Sequence, residues 1–330
     1  MTKPRVGFLG TGWIGRHRMQ AMIESGAILP VAVSDLSEEC VQEAARLAPD
    51  AAVLPSLDAM LDARLDGLVI ATPSALHAEQ SIAALNRGIA VFCQKPLGRN
   101  AAEAQAVVDA AKNADRLLSV DFSYRLTSAI QAIEPLIRNG ELGDLFAIDL
   151  TFHNAYGPDK PWFYDRAQSG GGCVMDLGVH LVDLALWLQD FPQVEHVSSR
   201  LFAGGQPLSP SSDEVEDYAV ARLDLTNGVS VRLACSWRLQ AGQEAVIEAS
   251  FYGTNGGAAL KNIGGSFYDF EALRFSGTST DRLVQPPDEW GGRAAAAWAG
   301  RLADNPCFDP AAERLGDVAD VLDRIYQPAG

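Results

Sequence analysis

The stretch Val6-Gly7-Phe8-Leu9-Gly10-Thr11-Gly12-Trp13-Ile14-Gly15 narrows the fold more than any other in the chain. Val6 to Leu9 reads as a short buried strand, G-x-G-x-x-G follows at once, and Arg16 to Glu24 can continue as a helix. In that context the three glycines have separate duties. Gly10 permits a tight turn, Gly12 lets the main chain approach a pyrophosphate, and Gly15 lets the helix close on the strand. The N–H groups around Trp13 and Ile14, at the positive end of the helix, favour the phosphates of a dinucleotide. A second strand, Leu29 to Val33, ends at Ser34-Asp35. Asp35 lies 20 residues after Gly15, where an acid receives the adenosine ribose hydroxyls of NAD.

Strands and helices then alternate. Residues 52–54, Leu68–Ala71, Ile89–Cys93 and Leu117–Val120 read as strands, and Leu57–Ala63, His77–Arg87 and Ala101–Asn113 as helices. Repeated β-α units with apolar strands predict a parallel, doubly wound Rossmann sheet, here over residues 1–121. Ligands of such sheets sit at the carboxyl ends of the strands, and Gly10, Asp35, Thr72, Gln94 and Lys95 all fall there.

The pattern changes near residue 122. Ser128–Asn139 reads as a helix, and Leu145–Phe152 as a strand alternating with polar residues. Further strands follow over 194–202, 218–225, 229–237, 245–252 and 268–275, with Asn227-Gly228 as a hairpin turn. Helices are expected over Ala294–Asp304 and Ala311–Tyr326. Residues 122–330 are therefore expected to form an α+β domain on an open, mainly antiparallel sheet. Whether the helix 311–326 packs back on the first domain is left open by the sequence. Gly204–Ser212 reads as a Gly/Pro/Ser loop.

Within this second half, Asp176, His180 and Asp183 stand at i, i+4 and i+7 in an otherwise apolar run, one face of a buried helix. A carboxylate one turn before a histidine can orient the ring and stabilise its protonated form, which suits acid–base chemistry. The alternative is a buried ion pair that fixes packing. One histidine with two carboxylates could also hold iron or manganese, although a second histidine is commoner.

Composition removes other classes. With 26 Lys and Arg against 42 Asp and Glu, the net charge of −16 repels nucleic acid and anionic lipid. The five cysteines are scattered, with no CxxC pair, so neither a disulfide framework nor a zinc site is expected. No apolar run reaches membrane-spanning length, no signal-peptide pattern opens the chain, and a reducing cytoplasm is the expected compartment.

The G-x-G-x-x-G turn, Thr72-Pro73 followed by His77, Lys95-Pro96, and Asp176-x-x-x-His180-x-x-Asp183 occur in the order of the Gfo/Idh/MocA oxidoreductase family, which the chain resembles over almost its whole length. The resemblance implies an NAD-dependent dehydrogenase or reductase of sugars or cyclitols, with NADP less expected because Asp35 would repel a 2′-phosphate. It implies that His180 is the general acid/base, that Lys95 binds substrate near the nicotinamide, and that Asp176 binds a substrate hydroxyl. Thr72, Pro73 and His77 match positions on the cofactor side, and Tyr156 and Trp162 lie where members place substrate-contacting side chains. Asp183 matches a position that looks structural. Lys95 and His180 are expected to act on one substrate oxygen. A homodimer or homotetramer assembled through the second sheet is also expected. A non-catalytic NAD-binding regulator of the same fold is the rival reading. One departure stands out: the family's Glu-Lys-Pro is Gln94-Lys95-Pro96 here, which keeps hydrogen-bonding reach and loses a charge.

Overall fold

The computed structural model describes residues 2–209 and 212–327. Pro210 and Ser211, inside the loop expected over Gly204–Ser212, lie outside the described residues. The chain divides into two compact units, one of residues 1–123 and 291–316, the other of residues 124–290 and 317–330.

The first unit begins with β1 (Arg5–Leu9), α1 (Trp13–Glu24), β2 (Leu29–Ser34), α2 (Glu38–Leu47) and β3 (Ala52–Val53). It continues with α3 (Leu57–Leu61), β4 (Gly67–Ile70), α4 (Ser74–Asn86), β5 (Ala90–Cys93), α5 (Ala101–Ala114) and β6 (Leu118–Val120). The six strands are parallel in the order β3-β2-β1-β4-β5-β6, the doubly wound Rossmann sheet that the alternation predicted. β4 and β5 are buried along their whole length, which is why they read as unbroken apolar runs. Sequence reading passed over α2. It starts at Ser37, whose hydroxyl accepts from the Cys40 N–H, and its first turn carries Glu38 and Glu39 against the helix dipole.

A late helix, α9 (Arg293–Asp304, numbered in chain order after those below), belongs to this first unit, whereas the sequence reading placed it with the second domain over 122–330. Trp298, Ala299 and Leu302 join Phe8, Met19, Val69 and Phe92 in one core, and Trp298 meets Phe92 at 5.8 Å between ring centroids. Gly67 makes room for it: a Cβ there would come within 2.7 Å of both Trp298 and Leu302. The amphipathic pattern of a helix says that it must be covered, not by which sheet.

The second unit contains α6 (Ser128–Arg138), β7 (Leu145–Asn154), α7 (Arg166–Ser169), α8 (Val179–Trp187), β8 (Val194–Ala203) and β9 (Gln206–Pro207). β10 (Tyr218–Leu225), β11 (Ser230–Ser236), β12 (Ala245–Gly253), β13 (Gly257–Asn262), β14 (Phe270–Ser276) and β15 (Ser279–Val284) complete its sheet, and α10 (Leu315–Tyr326) ends it. The nine-stranded order is β15-β14-β13-β12-β7-β11-β10-β8-β9, antiparallel except where β11 runs parallel to β7. β7 alternates, with Ile148, Leu150 and Phe152 buried and Asp149 on the opposite face paired to Arg232 at 2.5 Å. The run read as one helix over 311–326 is a 3₁₀ turn, Pro310–Arg314, followed by α10. The turn falls in the first unit, and α10 from Asp317 onward in the second. The end of α10 is fastened there by Ser199 Oγ donating to the Ile325 carbonyl at 2.6 Å.

Candidate functional site

In the first unit the glycine-rich turn is built from what each glycine leaves out. Gly10 takes φ +83°, and a Cβ on it would lie 2.6 Å from the Ala71 carbonyl at the end of β4. A Cβ on Gly15 would run into the Gly10 carbonyl oxygen, so this glycine lets α1 start against the turn. Gly12 is different. Its backbone (φ −58°, ψ −176°) suits any residue and nothing lies within 4 Å of its missing Cβ. The space it keeps open faces no protein atom. Gly12 is also the N-cap of α1, no side chain caps that helix, and no acid stands in its first turn. This end of α1 fits an anionic phosphate. Trp13 is exposed and stacks on His17, and Ile14 is half-buried behind it.

Asp35 closes the turn from the end of β2. Its Oδ2 accepts the Thr11 N–H at 2.6 Å, and its Oδ1 accepts the Ser37 N–H at 2.9 Å. A carboxylate has about four lone-pair sites, so both oxygens can still accept ribose hydroxyls. The residues fit a dinucleotide ending in an unphosphorylated ribose.

The ends of β4 and β5 are tied together by His77 on α4. Its ring nitrogens each lie 2.7 Å from a carbonyl oxygen, Thr72 on one side and Pro96 on the other. Burial pushes its pKa below the ordinary histidine value. With both nitrogens occupied by main-chain oxygens, His77 is a bracket between two strand-end turns. Pro73 caps α4, the Thr72 hydroxyl donates to Gln80 at 2.6 Å, and half-buried Lys95 follows β5 through a cis bond to Pro96. Gln94 donates through Nε2 to Asp121 at 2.7 Å.

In the second unit, Asp176 lies in a π-helical turn, Val174–Gly178, that leads into α8. Asp176 and Asp183 meet different donors. Asp176 Oδ2 accepts the indole N–H of Trp237 at 3.0 Å. His180 is buried with its ring 4.8 Å from that of Tyr124. Asp183 is buried in a two-pronged pair with Arg125, whose guanidinium also stacks on Trp187 and Phe191. Burial raises the Asp183 carboxyl, and Arg125 opposes that shift. Among the described residues no group of three His, Cys, Asp or Glu is arranged to hold a metal.

The run Gly170-Gly171-Gly172 before the π-turn has a reason in Glu216. Its buried carboxylate accepts the N–H groups of Gly172 at 3.0 Å and Val174 at 2.8 Å, and the Tyr326 hydroxyl at 2.8 Å. Cβ atoms on Gly171 and Gly172 would collide with Tyr326 and with the Glu216 backbone. Glu216 therefore anchors the turn that carries Asp176. Burial raises its pKa, and those same N–H groups and the Tyr326 hydroxyl hold it back.

The aromatic loop runs toward Asp176. Trp162 stacks on Phe163 at 3.8 Å, and Phe163 and Tyr164 both meet the Trp237 ring edge-on at 6.3 and 5.6 Å. Tyr156 stands apart. It is exposed, and its hydroxyl donates to Glu244 at 3.0 Å. Tyr124, Trp237, Glu216 and Arg125 were not found from sequence. The bonds that tie Arg125, Glu216 and Trp237 to the segment 172–183 span 42 to 61 residues, and no local spacing marks them.

Two family models match the chain. Residues 4–122 match the oxidoreductase family with NAD-binding Rossmann fold. Residues 130–259 match the Gfo/Idh/MocA C-terminal domain. The D-glucoside 3-dehydrogenase of Escherichia coli K12 is 28% identical over 241 residues, covering 70% of this chain and 69% of that one. The inositol 2-dehydrogenase 1 of Mycolicibacterium vanbaalenii is 28% identical, covering 90% and 92%. A putative UDP-kanosamine synthase oxidoreductase subunit of Amycolatopsis mediterranei is 29% identical, covering 99% and 96%. The fold is that of levoglucosan dehydrogenase solved with NADH and levoglucosan, at TM-score 0.82, 21% identity and coverage of 98% and 96%.

Proposed function

This chain belongs to the Gfo/Idh/MocA oxidoreductase family, and we propose that it moves a hydride between NAD and a secondary hydroxyl carbon of a sugar, sugar derivative or cyclitol. The observation that carries the reading is the treatment of the two acids around His180. Asp183 is buried against Arg125, while Asp176 is only half-buried and accepts the Trp237 indole N–H through Oδ2. One acid is packed against a guanidinium, and the other, a half-buried carboxylate with about four lone-pair sites, suits a hydroxyl.

Bound NAD supplies the hydride acceptor, and the protein supplies position and proton handling. In oxidation, the carbinol C–H leaves with its electron pair as the O–H proton goes to a ring nitrogen of His180, and a carbonyl forms. Lys95 donates a hydrogen bond to that oxygen and stabilises its developing negative charge. Asp176 accepts a neighbouring hydroxyl and orients the ring of the sugar. Stacked Trp162 and Phe163 suit a sugar face. Asp35 favours NAD over NADP, since Leu36, Ser37 and Glu38 offer no cation for a 2′-phosphate. The protein works as a homodimer or homotetramer in the cytoplasm, its second sheet presenting the polar β7–β11 face to another copy.

The test is absorbance at 340 nm with levoglucosan, D-glucose, D-glucose 6-phosphate, myo-inositol and D-apiose, each with NAD and with NADP. Reduction of NAD, and less of NADP, is expected for at least one. NADH binding without turnover of any of the five would instead favour a regulator.

A further inference from the structure

Gln94 replaces the glutamate of the Glu-Lys-Pro motif, and its surroundings explain why a carboxylate is excluded there. Three side chains from distant parts of the first unit meet: Arg18 of α1, Gln94 just past β5 and Asp121 just past β6. All are buried, at 6%, 8% and 1% exposure. Asp121 Oδ2 receives both the Arg18 Nε–H at 2.5 Å and the Gln94 Nε2–H at 2.7 Å. The main chain brings the two strand ends into register, with the Asp121 N–H on the Cys93 carbonyl at 3.0 Å and the Gln94 N–H on the Ile70 carbonyl at 2.9 Å. Around Asp121 Oδ2 the network therefore holds one negative and one positive charge with a neutral amide as the second donor, and Arg18 Nη1 also lies 2.9 Å from His17 Nδ1.

A glutamate at 94 would break that balance. It would present an oxygen where Asp121 needs a donor, and two buried carboxylates would share one guanidinium. Two carboxylates in one site cannot both stay ionised without cost. The carboxylate can stand at 94 or at 121, not at both. Arg18 lies on the helix that begins at the glycine-rich turn, and Gln94 is bonded to Lys95. The network thus joins the element that fits the cofactor phosphates to the residue that receives the substrate oxygen.

We propose that Asp121 is a positioning residue for Lys95, acting through Gln94 with Arg18 as its counter-ion, an assignment that rests on the catalytic role proposed for Lys95. Asp121 carries the buried charge that the motif elsewhere carries at 94. Its loss releases the Gln94 side chain and lets the neighbouring Lys95 drift from the substrate oxygen.

The experiment is a cycle of Gln94→Glu, Asp121→Asn and the double variant, with Gln94→Met as a neutral control that removes the donor and adds no charge. Melting temperature, NADH affinity by fluorescence, and kcat per NADH-binding site are read on each, the last with the fastest of the five sugars named above. Misplacement of Lys95 is expected to cut kcat about tenfold or more in each single variant, with NADH affinity within about threefold. Coupling is expected to make the double variant at least about fivefold faster, and more heat-stable, than Gln94→Glu alone. A fall in melting temperature with unchanged kcat per site in Asp121→Asn and Gln94→Met would make the network purely structural and overturn the proposal. A double variant no faster than Gln94→Glu would overturn it too. If wild type turns over none of the five sugars, the functional reading fails first. The charge exclusion is then judged on melting temperature alone, and a double variant no more stable than Gln94→Glu refutes it.

Discussion

Gly12→Ala and Gly15→Ala should separate cofactor binding from folding. A methyl on Gly15 meets the Gly10 carbonyl oxygen, a main-chain atom that cannot swing aside. Such overpacking costs about 1–3 kcal/mol. At roughly 2–4 °C per kcal/mol for a domain of this size class, the melting temperature should fall by about 2–12 °C. A methyl on Gly12 meets nothing within 4 Å in the protein alone, at backbone angles an alanine adopts freely. Alanine is the poorer N-cap by up to about 1 kcal/mol, but it restricts the unfolded chain by about 0.4–1 kcal/mol, and the two nearly cancel. Stability should stay within about 1 kcal/mol of wild type. The cofactor should feel the change instead, because the methyl stands where a phosphate oxygen must approach the N–H groups of α1. Losing one hydrogen bond to a charged group, about 1.5–3 kcal/mol, weakens NADH roughly 10- to 100-fold. Differential scanning fluorimetry and NADH fluorescence titration read the two effects. Unchanged NADH affinity in Gly12→Ala would refute the placement of the pyrophosphate.

Trp237→Phe keeps the ring against Phe163 and Tyr164 and removes the donor to Asp176, so kcat should fall about tenfold with little change in melting temperature; wild-type kcat would show that this bond does not matter. Arg125→Met leaves Asp183 buried without its counter-charge and should cost about 3–5 kcal/mol in urea unfolding at pH 7.5. Burial already lifts the Asp183 carboxyl above its unfolded value, so the folded form binds the proton more readily; stability from the protonated group is present below the unfolded pKa and is lost as pH rises through the folded one. The deficit of Arg125→Met should therefore be smaller at pH 4.5, and equal deficits at both pH values would contradict this. Of the five thiols, Cys93 is buried and pushed up to about 12, Cys173 is also raised by burial, and Cys235 is buried, while Cys40 and Cys307 are partly exposed. A disulfide-exchange reagent at pH 8 should find two fast thiols in the native protein and five in guanidinium; three or more fast ones would mean that a buried site opens.

What the sequence disclosed was mostly local. Gly10, Gly12 and Gly15 announce the first unit because a turn, a close packing and an open space each demand the missing Cβ within a few residues. The buried parallel strands announce themselves as apolar runs, and Asn227-Gly228 marks the β10–β11 turn. What stayed hidden is held by distant partners. Nothing near Asp176 says that Trp237 will fix its carboxylate, or that Glu216 will cap the turn before it. The spacing of Asp176, His180 and Asp183 suggested one polar stripe, but not that a π-turn would carry Asp176, or that Trp237 and Arg125 would be the donors to its two acids. Helix α9 showed its amphipathic face without showing that Trp298 would fill the core of the first sheet. Gln94 looked like a simple loss of charge until Asp121, 27 residues on, supplied the carboxylate.

The most direct test of the account is a kinetic cycle on Lys95 and His180 with NAD and the fastest sugar of the screen, with NADH affinity measured beside it. On the proposed roles, Lys95→Ala and His180→Ala should each lower kcat by roughly 10²-fold or more, the expected loss when each acts on the reacting oxygen. The double variant should lose less than the product of the two, because groups that act as a unit are not additive. NADH should still bind His180→Ala as it binds wild type. Wild-type turnover in either single variant, or strictly multiplicative losses in the double, would contradict the claim that the two serve one substrate oxygen.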